Sequence, residues 1–308
     1  MTASVALCTY NGEKYIAEQL ESILSQIRPV SEIIVCDDNS TDETFKILSD
    51  YAARYPDIIR IHRNTENTGY VQNFEKAMSL CTGDLVFLCD QDDRWNKDKT
   101  AIVTQIFEKH PHIDIISHNI KLFGEEINSA EEITYWDLDS INPDHFTQPQ
   151  DIVKRILFKG NIFPGMSTAI RSTFLKENLP LKKINSTIIH DYELLLIASS
   201  KDSVWMEKRI LGEYRIHPKQ SIGYKTFAHF NTPEKEILSR DSLFAIFKRF
   251  PFVKDAIQKL NLNVELEKDY KTYCIQQYKN YIKSIPLLKS WITRLKMKYY
   301  FHIFDYLK

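Results

Sequence analysis

Short apolar runs alternate with stretches of helical period over the first third of the chain. Ser4-Val5-Ala6-Leu7-Cys8 is an apolar run that ends in the turn chemistry of Thr9-Tyr10-Asn11-Gly12. Ile16, Leu20, Ile23, Leu24 and Ile27 then recur at helical spacing up to Pro29, which predicts a helix. Ile33-Ile34-Val35-Cys36 reads as a second buried strand and ends in Asp37-Asp38. Ser40 and Glu43 fit a capping box for a helix carrying Phe45, Leu48, Ala52 and Tyr55. Ile58-Ile59-Arg60-Ile61 predicts a third strand, and the loop from Asn64 to Gly69 leads into a helix with Phe74, Ala77, Met78 and Cys81. Leu85-Val86-Phe87-Leu88-Cys89 is an unbroken apolar run, the pattern of a strand buried on both faces. Strand and helix alternating across short loops predict a doubly wound α/β layer. Right-handed crossovers then line up the loops Thr9-Tyr10-Asn11, Asp37-Asp38 and Asp90-Gln91-Asp92-Asp93 along one sheet edge.

The pattern changes downstream. Residues 113–119 read as a further strand, and residues 120–149 as an exposed, variable excursion or a flexible lid. That segment holds Glu125, Glu126, Glu131, Glu132, Asp137, Asp139 and Asp144, with no Lys or Arg from 124 on. A helix is expected around Asp151–Lys159, then the glycine-bracketed loop from Gly160 to Gly165 and a strand-like run, Met166 to Ile170. Asp191 suits the N-cap of a helix carrying Leu194, Leu195 and Ala198. Val204-Trp205-Met206 and Gly212 to Ile216 read as two strands, the second ending in His217-Pro218. From about residue 231 the chain reads as helical, with one helix over Ile237, Leu243, Ile246 and Phe247 and another over residues 262–285. Residues 287–308 combine Trp291, Ile292, Leu295, Tyr299, Phe301 and Phe304 with Lys289, Arg294, Lys296, Lys298 and Lys308. Such a helix suits either an anionic membrane surface or packing on protein.

Composition narrows the class. The 308 residues are 43% hydrophobic and 26% charged, the balance of an ordinary globular chain. A net charge of −1 gives no reason to expect nucleic acid. No apolar run reaches membrane-span length, and the N-terminus has no signal-peptide layout. Cys8, Cys36, Cys81, Cys89 and Cys274 show no C-x-x-C spacing and read as reduced core residues of a cytosolic protein.

The chemistry concentrates at the end of the fourth apolar run. Asp90, Asp92 and Asp93 crowd the C-terminal edge of the sheet, where α/β folds bind ligands. Neighbouring carboxylates are costly unless a positive group sits between them. A hard divalent cation, Mg²⁺ or Mn²⁺, which prefers oxygen ligands and carries phosphate, is the simplest partner. The same residues also fit an acidic surface turn leading to the helix at Lys97. No G-x-G-x-x-G and no P-loop follow the first strand, which argues against a dinucleotide site. A carboxylate accepts hydrogen bonds, and uracil, thymine and guanine each offer a ring N–H while adenine and cytosine do not, so Asp37 or Asp38 suits a uridine or thymidine nucleotide, with Tyr10 flanking the base. Asp37-Asp38-Asn39-Ser40 also fits a plain loop ending in a helix cap.

Taken in order, Thr9-Tyr10-Asn11-Gly12, Asp37-Asp38-Asn39-Ser40-Thr41-Asp42, Asn67-Thr68-Gly69, Asp90-Gln91-Asp92-Asp93-x-Trp95, His190-Asp191 and Tyr214-Arg215-x-His217 resemble glycosyltransferase family 2, the inverting transferases of the GT-A fold. The D-Q-D-D-x-W form is similar to bacterial rhamnosyltransferase-like enzymes of polysaccharide assembly. The resemblance covers about residues 3–223. It implies a Rossmann-like, doubly wound mixed sheet flanked by helices over residues 1–223, with a nucleotide-binding half (1–119) and an acceptor and base half (150–223), followed by a C-terminal helical extension (224–308).

The resemblance also implies site roles. Thr9, Tyr10, Asn11, Glu13, Asp37, Asp38, Asn67, Gly69, Asn73, Asp90, Gln91 and Arg215 would hold a nucleotide-diphosphate sugar. Asp92, Asp90 and His217 would hold the Mn²⁺ or Mg²⁺ cofactor. Trp95, Gly165, Met166 and His190 would face a glycan or lipid-linked glycan acceptor. Asp191 matches the catalytic base, although the family often has an acidic pair where this chain has His190-Asp191-Tyr192. Glu193 points about 200° away from Asp191 on a helix. A sugar-phosphate nucleotidyltransferase and a non-catalytic scaffold of a polysaccharide-assembly complex are the rival readings, and Thr9 to Lys14 lacks the glycine-rich loop of the former.

Overall fold

The computed structural model of the chain describes residues 1–124, 127, 132–138, 140–148, 150–184, 189–218 and 240–284. Its elements in chain order are β1 (Ala3–Thr9), α1 (Ile16–Leu24), β2 (Glu32–Asp37), α2 (Thr44–Arg54), β3 (Ile59–Arg63), α3 (Tyr70–Leu80), β4 (Leu85–Cys89), β5 (Arg94–Trp95), α4 (Lys99–Lys109), β6 (Ile115–Gly124), α5 (Tyr135–Leu138), α6 (Asp151–Lys159), β7 (Thr168–Arg171), α7 (Ser172–Asn178), α8 (His190–Ser200), β8 (Val204–Ile216), α9 (Arg240–Lys248), α10 (Phe250–Lys259) and α11 (Glu265–Ser284). The chain forms two units, residues 1–153 with 161–231, and residues 154–160 with 232–308.

The first unit is built on one mixed sheet with strand order β3-β2-β1-β4-β7-β6-β8-β5. β3, β2, β1 and β4 run parallel. β7 is antiparallel to both β4 and β6, and β8 runs parallel to β6. Every residue of β1, β2 and β4 is buried, as their apolar runs require when helices cover both faces. Val5, Leu7, Val35 and Phe87 share one core with Ile16, Leu20 and Ile23 of α1. Alternate strand residues face the other way, where α3 packs on β1 and β2. The strand order reverses at β1 and β4, so their C-terminal ends open a crevice.

Several expectations change in detail. α1 stops at Leu24, and Ile27 is 69% exposed, because the chain turns before Pro29. The capping box at α2 does not form: Ser40 Oγ donates to Asp37, and the helix starts at Thr44 without a side-chain cap. The two expected strands after residue 203 are one strand, β8, whose register against β6 shifts around Asn119. The acidic segment is pinned where it is described. Trp136 is buried and its Nε1 donates to Ile162 O at 3.3 Å, while Ile127 packs with Leu122 and Ile216. All five cysteines are buried and free.

The second unit stacks α9, α10 and α11, with α10 unforeseen in the sequence. Its centre is Tyr270, fully buried, whose hydroxyl donates to Ile246 O at 2.5 Å and whose ring lies 4.9 Å from that of Phe158. Among the described residues no helix is long and apolar enough to cross a membrane. The amphipathic segment 287–308 lies outside the described residues.

Candidate active site

The tips of β1 and β2 form one wall of the crevice. Asp37 is fully buried: Oδ1 accepts from Thr9 Oγ1 at 3.0 Å and Ser40 Oγ at 2.5 Å, and Oδ2 accepts from Ser40 N at 3.1 Å. Arg63 Nε stands 3.5 Å from Oδ2. Asp38 Oδ1 accepts from Thr68 N and Asn64 Nδ2, both at 2.8 Å, and Oδ2 accepts from Gly69 N at 2.8 Å. Burial pushes Asp38 upward, but these hydrogen bonds together outweigh it and hold the carboxyl below its ordinary range. Asn67 Oδ1 also accepts from Gly69 N at 3.2 Å, and Asn73 Nδ2 donates to Cys36 O at 2.7 Å.

The β1 turn is braced in the same way. Asn11, at φ 49°, accepts from Thr41 N at 2.9 Å, and Glu13 Oε2 accepts from Glu43 N at 3.0 Å. Gln91 clamps the Tyr10 peptide from both sides, Oε1 accepting from Tyr10 N at 2.8 Å and Nε2 donating to Tyr10 O at 3.0 Å. Gly12 lies against that amide, leaving no room for a Cβ. The Tyr10 ring remains 46% exposed beside the crevice.

The β4 tip differs. Asp92 Oδ2 lies 2.9 Å from His217 Nε2, so residues 125 positions apart meet there. Asp93 is buried: Oδ1 accepts from Arg215 N at 3.0 Å, and Oδ2 has no hydrogen-bond partner. Burial, followed by the neighbouring Asp92 and Asp90, raises its carboxyl well above the ordinary range. Asp90 is partly exposed and is pushed up to about 7 by desolvation, then by Asp92 and Asp191. Arg215, expected at the donor, is held beside the β4 tip. Its Nε donates to Asp92 O at 2.7 Å, Nη2 donates to Glu18 Oε2 at 2.5 Å, and the guanidinium lies on the Tyr15 and Phe123 rings.

The third contribution comes from α8 and the short turn Gly165–Ser167. α8 begins at His190 with Ile189 at its cap, so Asp191 sits inside the first turn and is not the N-cap. Its Oδ1 accepts from Tyr192 N at 2.7 Å and Oδ2 from Asn161 Nδ2 at 3.3 Å. Burial raises Asp191 to about 7. His190 stacks on Phe74 with ring centres 4.2 Å apart, and burial lowers it to about 3, which keeps the ring neutral. Gly165 marks the focus: the position its Cβ would occupy is 3.8 Å from Asp191 Oδ2, 3.8 Å from His190 Nε2 and 3.9 Å from Asp90 Oδ2. Glu193 is turned away, accepting from Lys182 N at 2.5 Å and Lys183 N at 3.1 Å.

Trp95 and Met166 are core residues in this structure. Trp95 is buried against Phe87, a placement that lends no support to its acceptor-side expectation. Met166 is buried, and its carbonyl faces Lys99. Two residues near the site escaped the sequence reading. Tyr70, 39% exposed, stands edge-on to His190 at 6.5 Å. Lys99 is buried, and its position on the apolar stripe of Val103, Ile106 and Phe107 was the available signal.

The donor types at the β4 tip suit a divalent cation, since carboxylate oxygens and an imidazole nitrogen are ordinary Mn²⁺ ligands. Among the described residues no group of three or more His, Cys, Asp or Glu is placed to hold a metal ion, so Asp90, Asp92 and His217 do not form a three-ligand set in this arrangement. Mg²⁺-type sites commonly use one or two carboxylates and complete their shell with water and substrate phosphate. Asp92 with His217, and Asp90 nearby, fit that pattern.

A mixed α/β sheet with an acidic cleft at its strand-order reversal is an α/β scaffold with the crevice at which such folds bind ligands. The glycosyl transferase family 2 model matches residues 4–173. The chain belongs to that family. It is 24% identical over 304 residues to the poly(ribitol-phosphate) beta-N-acetylglucosaminyltransferase TarS of Staphylococcus aureus, covering 97% of this chain and 47% of that protein. It is 40% identical over 97 residues to the dTDP-rhamnosyl transferase RfbG of Shigella flexneri, covering 30% of this chain and 34% of that one. The chain spans about half or less of the length of most curated relatives it matches.

Solved structures share the fold. The crystal structure of TarS residues 1–349 with UDP-GlcNAc matches with a TM-score of 0.58 at 20% identity, over 95% of this chain and 79% of that one. The mannosyltransferase PcManGT of Pyrobaculum calidifontis, in complex with GDP-Man and Mn²⁺, matches with a TM-score of 0.52 at 15% identity, over 96% and 79%. These neighbours are GT-A glycosyltransferases, and the mixed sheet with flanking helices is their fold.

Proposed function

We propose that the chain is an inverting glycosyltransferase. It moves a sugar from a uridine or thymidine diphosphate sugar, dTDP-rhamnose among them, to a glycan or lipid-linked glycan acceptor in surface polysaccharide assembly. The observation that carries this reading is the focus of Asp90, His190 and Asp191 on Gly165, beside the Asp92–His217 pair. The names of TarS and RfbG support the reaction class and the polymer context.

Each group then has a task. The Tyr10 ring and the braced turn after β1 take the nucleoside, with Asp37 and Asp38 holding the strand tips that frame it. Asp92 and His217, with Asp90 nearby, would hold a divalent cation, which when bound would supply positive charge to the leaving diphosphate. Asp191 takes the proton from the acceptor hydroxyl as that oxygen attacks the anomeric carbon from the side opposite the diphosphate, which inverts the centre. Burial suits Asp191 to this task, because a carboxyl near 7 is a stronger base than an ordinary one. His190, neutral and packed on Phe74, accepts or donates a hydrogen bond to the acceptor without adding charge next to Asp191.

The test is a panel of UDP-glucose, UDP-GlcNAc and dTDP-rhamnose incubated with the protein and Mn²⁺. Release of nucleoside diphosphate, with sugar transferred or hydrolysed, is the expected result. Formation of a nucleotide sugar from a sugar phosphate and UTP or dTTP would mean a nucleotidyltransferase. The absence of both turnover and UDP binding would mean a scaffold.

A further inference from the structure

Lys99 is a buried charged side chain that the proposed chemistry does not use. It opens α4, is 0% exposed, and shares an inward stripe with Val103, Ile106 and Phe107. A lysine is rarely placed there unless partners replace its water. Lys99 Nζ donates to Met166 O at 2.6 Å and lies 3.8 Å from the centre of the Trp95 ring. Burial lowers it to about 7, while the neighbouring Cys89, Asp93 and Asp90 act in the opposite direction. Asp93 Oδ2, two residues before Trp95, is likewise buried and has no hydrogen-bond partner.

The residue it holds is adjacent to the focus of the site. Met166 follows Gly165, on which Asp90, His190 and Asp191 converge. Ser167 in the same turn bonds back to Pro164 O at 2.7 Å and shares a 2.7 Å contact with Ser117 Oγ. Ser117 belongs to β6, so the turn is anchored to the sheet at one end, while the Met166 carbonyl is tied by a hydrogen bond to α4.

We propose that Lys99 is a positioning residue. It ties the Gly165–Ser167 turn to the start of α4 against the Trp95 ring, and so sets where the acceptor-side turn stands relative to the carboxylates that act on the donor. The inference rests on the transfer reading above, and its consequence is specific: loss of Lys99 disturbs turnover and the turn while leaving nucleotide binding alone.

The experiment compares wild type, Lys99→Met and Lys99→Gln in the full chain. Hydrogen-exchange mass spectrometry of the peptide over residues 163–168 needs no substrate, so it reads the tie even if the transfer reading fails. Lys99→Met is expected to raise exchange there roughly tenfold with β4 unchanged, and to lower kcat roughly 10–100-fold. Binding of UDP with Mn²⁺ and the donor KM should stay within about threefold of wild type. Lys99→Gln retains an N–H for Met166 O and should recover most of kcat. If Lys99→Met does not fold, Lys99→Gln carries the test, with the turn's exchange at the wild-type rate expected. Wild-type exchange and kcat in Lys99→Met, or an equal loss of kcat and nucleotide affinity in both variants, would overturn the proposal. A wild-type protein that turns over no nucleotide sugar would instead fault the functional reading.

Discussion

At the tips of β1 and β2, Asp37 and Asp38 meet protein donors on both oxygens, and Asp38 is held below the ordinary carboxylate range. At the tip of β4 and the start of α8, Asp90, Asp93 and Asp191 are crowded and desolvated, and all three are raised. The two groups of acids lie on one sheet edge and share a residue type, yet their environments drive them in opposite directions. Satisfied acceptors make a rigid frame. Crowded carboxylates destabilise a fold and persist where a ligand or a reaction supplies the missing positive charge or proton. On the proposed function, the first region gives shape and the second gives chemistry.

Replacing Asp191 by Asn should produce the largest effect. The amide cannot take a proton, so kcat should fall roughly 10²–10⁴-fold while UDP affinity stays within about threefold, measured by calorimetry and steady-state assay. Loss of UDP binding along with kcat would take Asp191 out of the base role. The raised carboxyls also set a pH signature. Asp191 at about 7 must be ionised to act, so kcat/KM should fall about tenfold per unit below that pH and level off above it.

Stability should move the other way across the same window. Asp90 and Asp191 at about 7 hold protons in the folded chain that the unfolded chain has released, so their contribution declines between about pH 4 and 7. Asp38 acts oppositely: its lowered carboxyl stabilises the fold above the unfolded value, and that support is lost on acidification. Urea titrations at several pH values would separate the two trends.

Smaller effects should mark the frame. Asp37→Asn places an amide where Thr9 and Ser40 donate, and should cost about 1–3 kcal/mol of stability. An unchanged urea midpoint would show that the β2 tip is not held as described. Tyr10→Ala removes the exposed ring and should weaken UDP binding by about 0.5–1.5 kcal/mol, or 2- to 12-fold. Full affinity in that variant would place the base elsewhere.

The two acidic tips were legible in the sequence, but their opposite environments were not, for reasons that vary by residue. The strand runs ending in Asp37-Asp38 and Asp90-Gln91-Asp92-Asp93 announced both the sheet and its acidic edge, because buried strands are continuous apolar runs. The pairing of Asp92 with His217 followed from the family resemblance and not from spacing, since the residues are 125 positions apart. Local signals misled where tertiary bonds competed. Ser40 and Glu43 looked like a capping box, but Asp37 took the Ser40 hydroxyl. The contacts of the Arg215 guanidinium with Glu18 and the Asp92 carbonyl had no local signal, since all three lie far apart in sequence. Trp95 lies in the core, and Lys99 stayed hidden because a charge on a helix is ordinarily read as facing solvent.

The central claim is that the β4 tip carries a cation-dependent diphosphate site. Calorimetric titration of UDP into the chelator-treated full chain, with and without Mn²⁺, for wild type and Asp92→Asn, addresses it most directly. Saturable binding by wild type only when Mn²⁺ is restored, and its loss in Asp92→Asn, is the result predicted. The same isotherm in all four titrations would contradict the account.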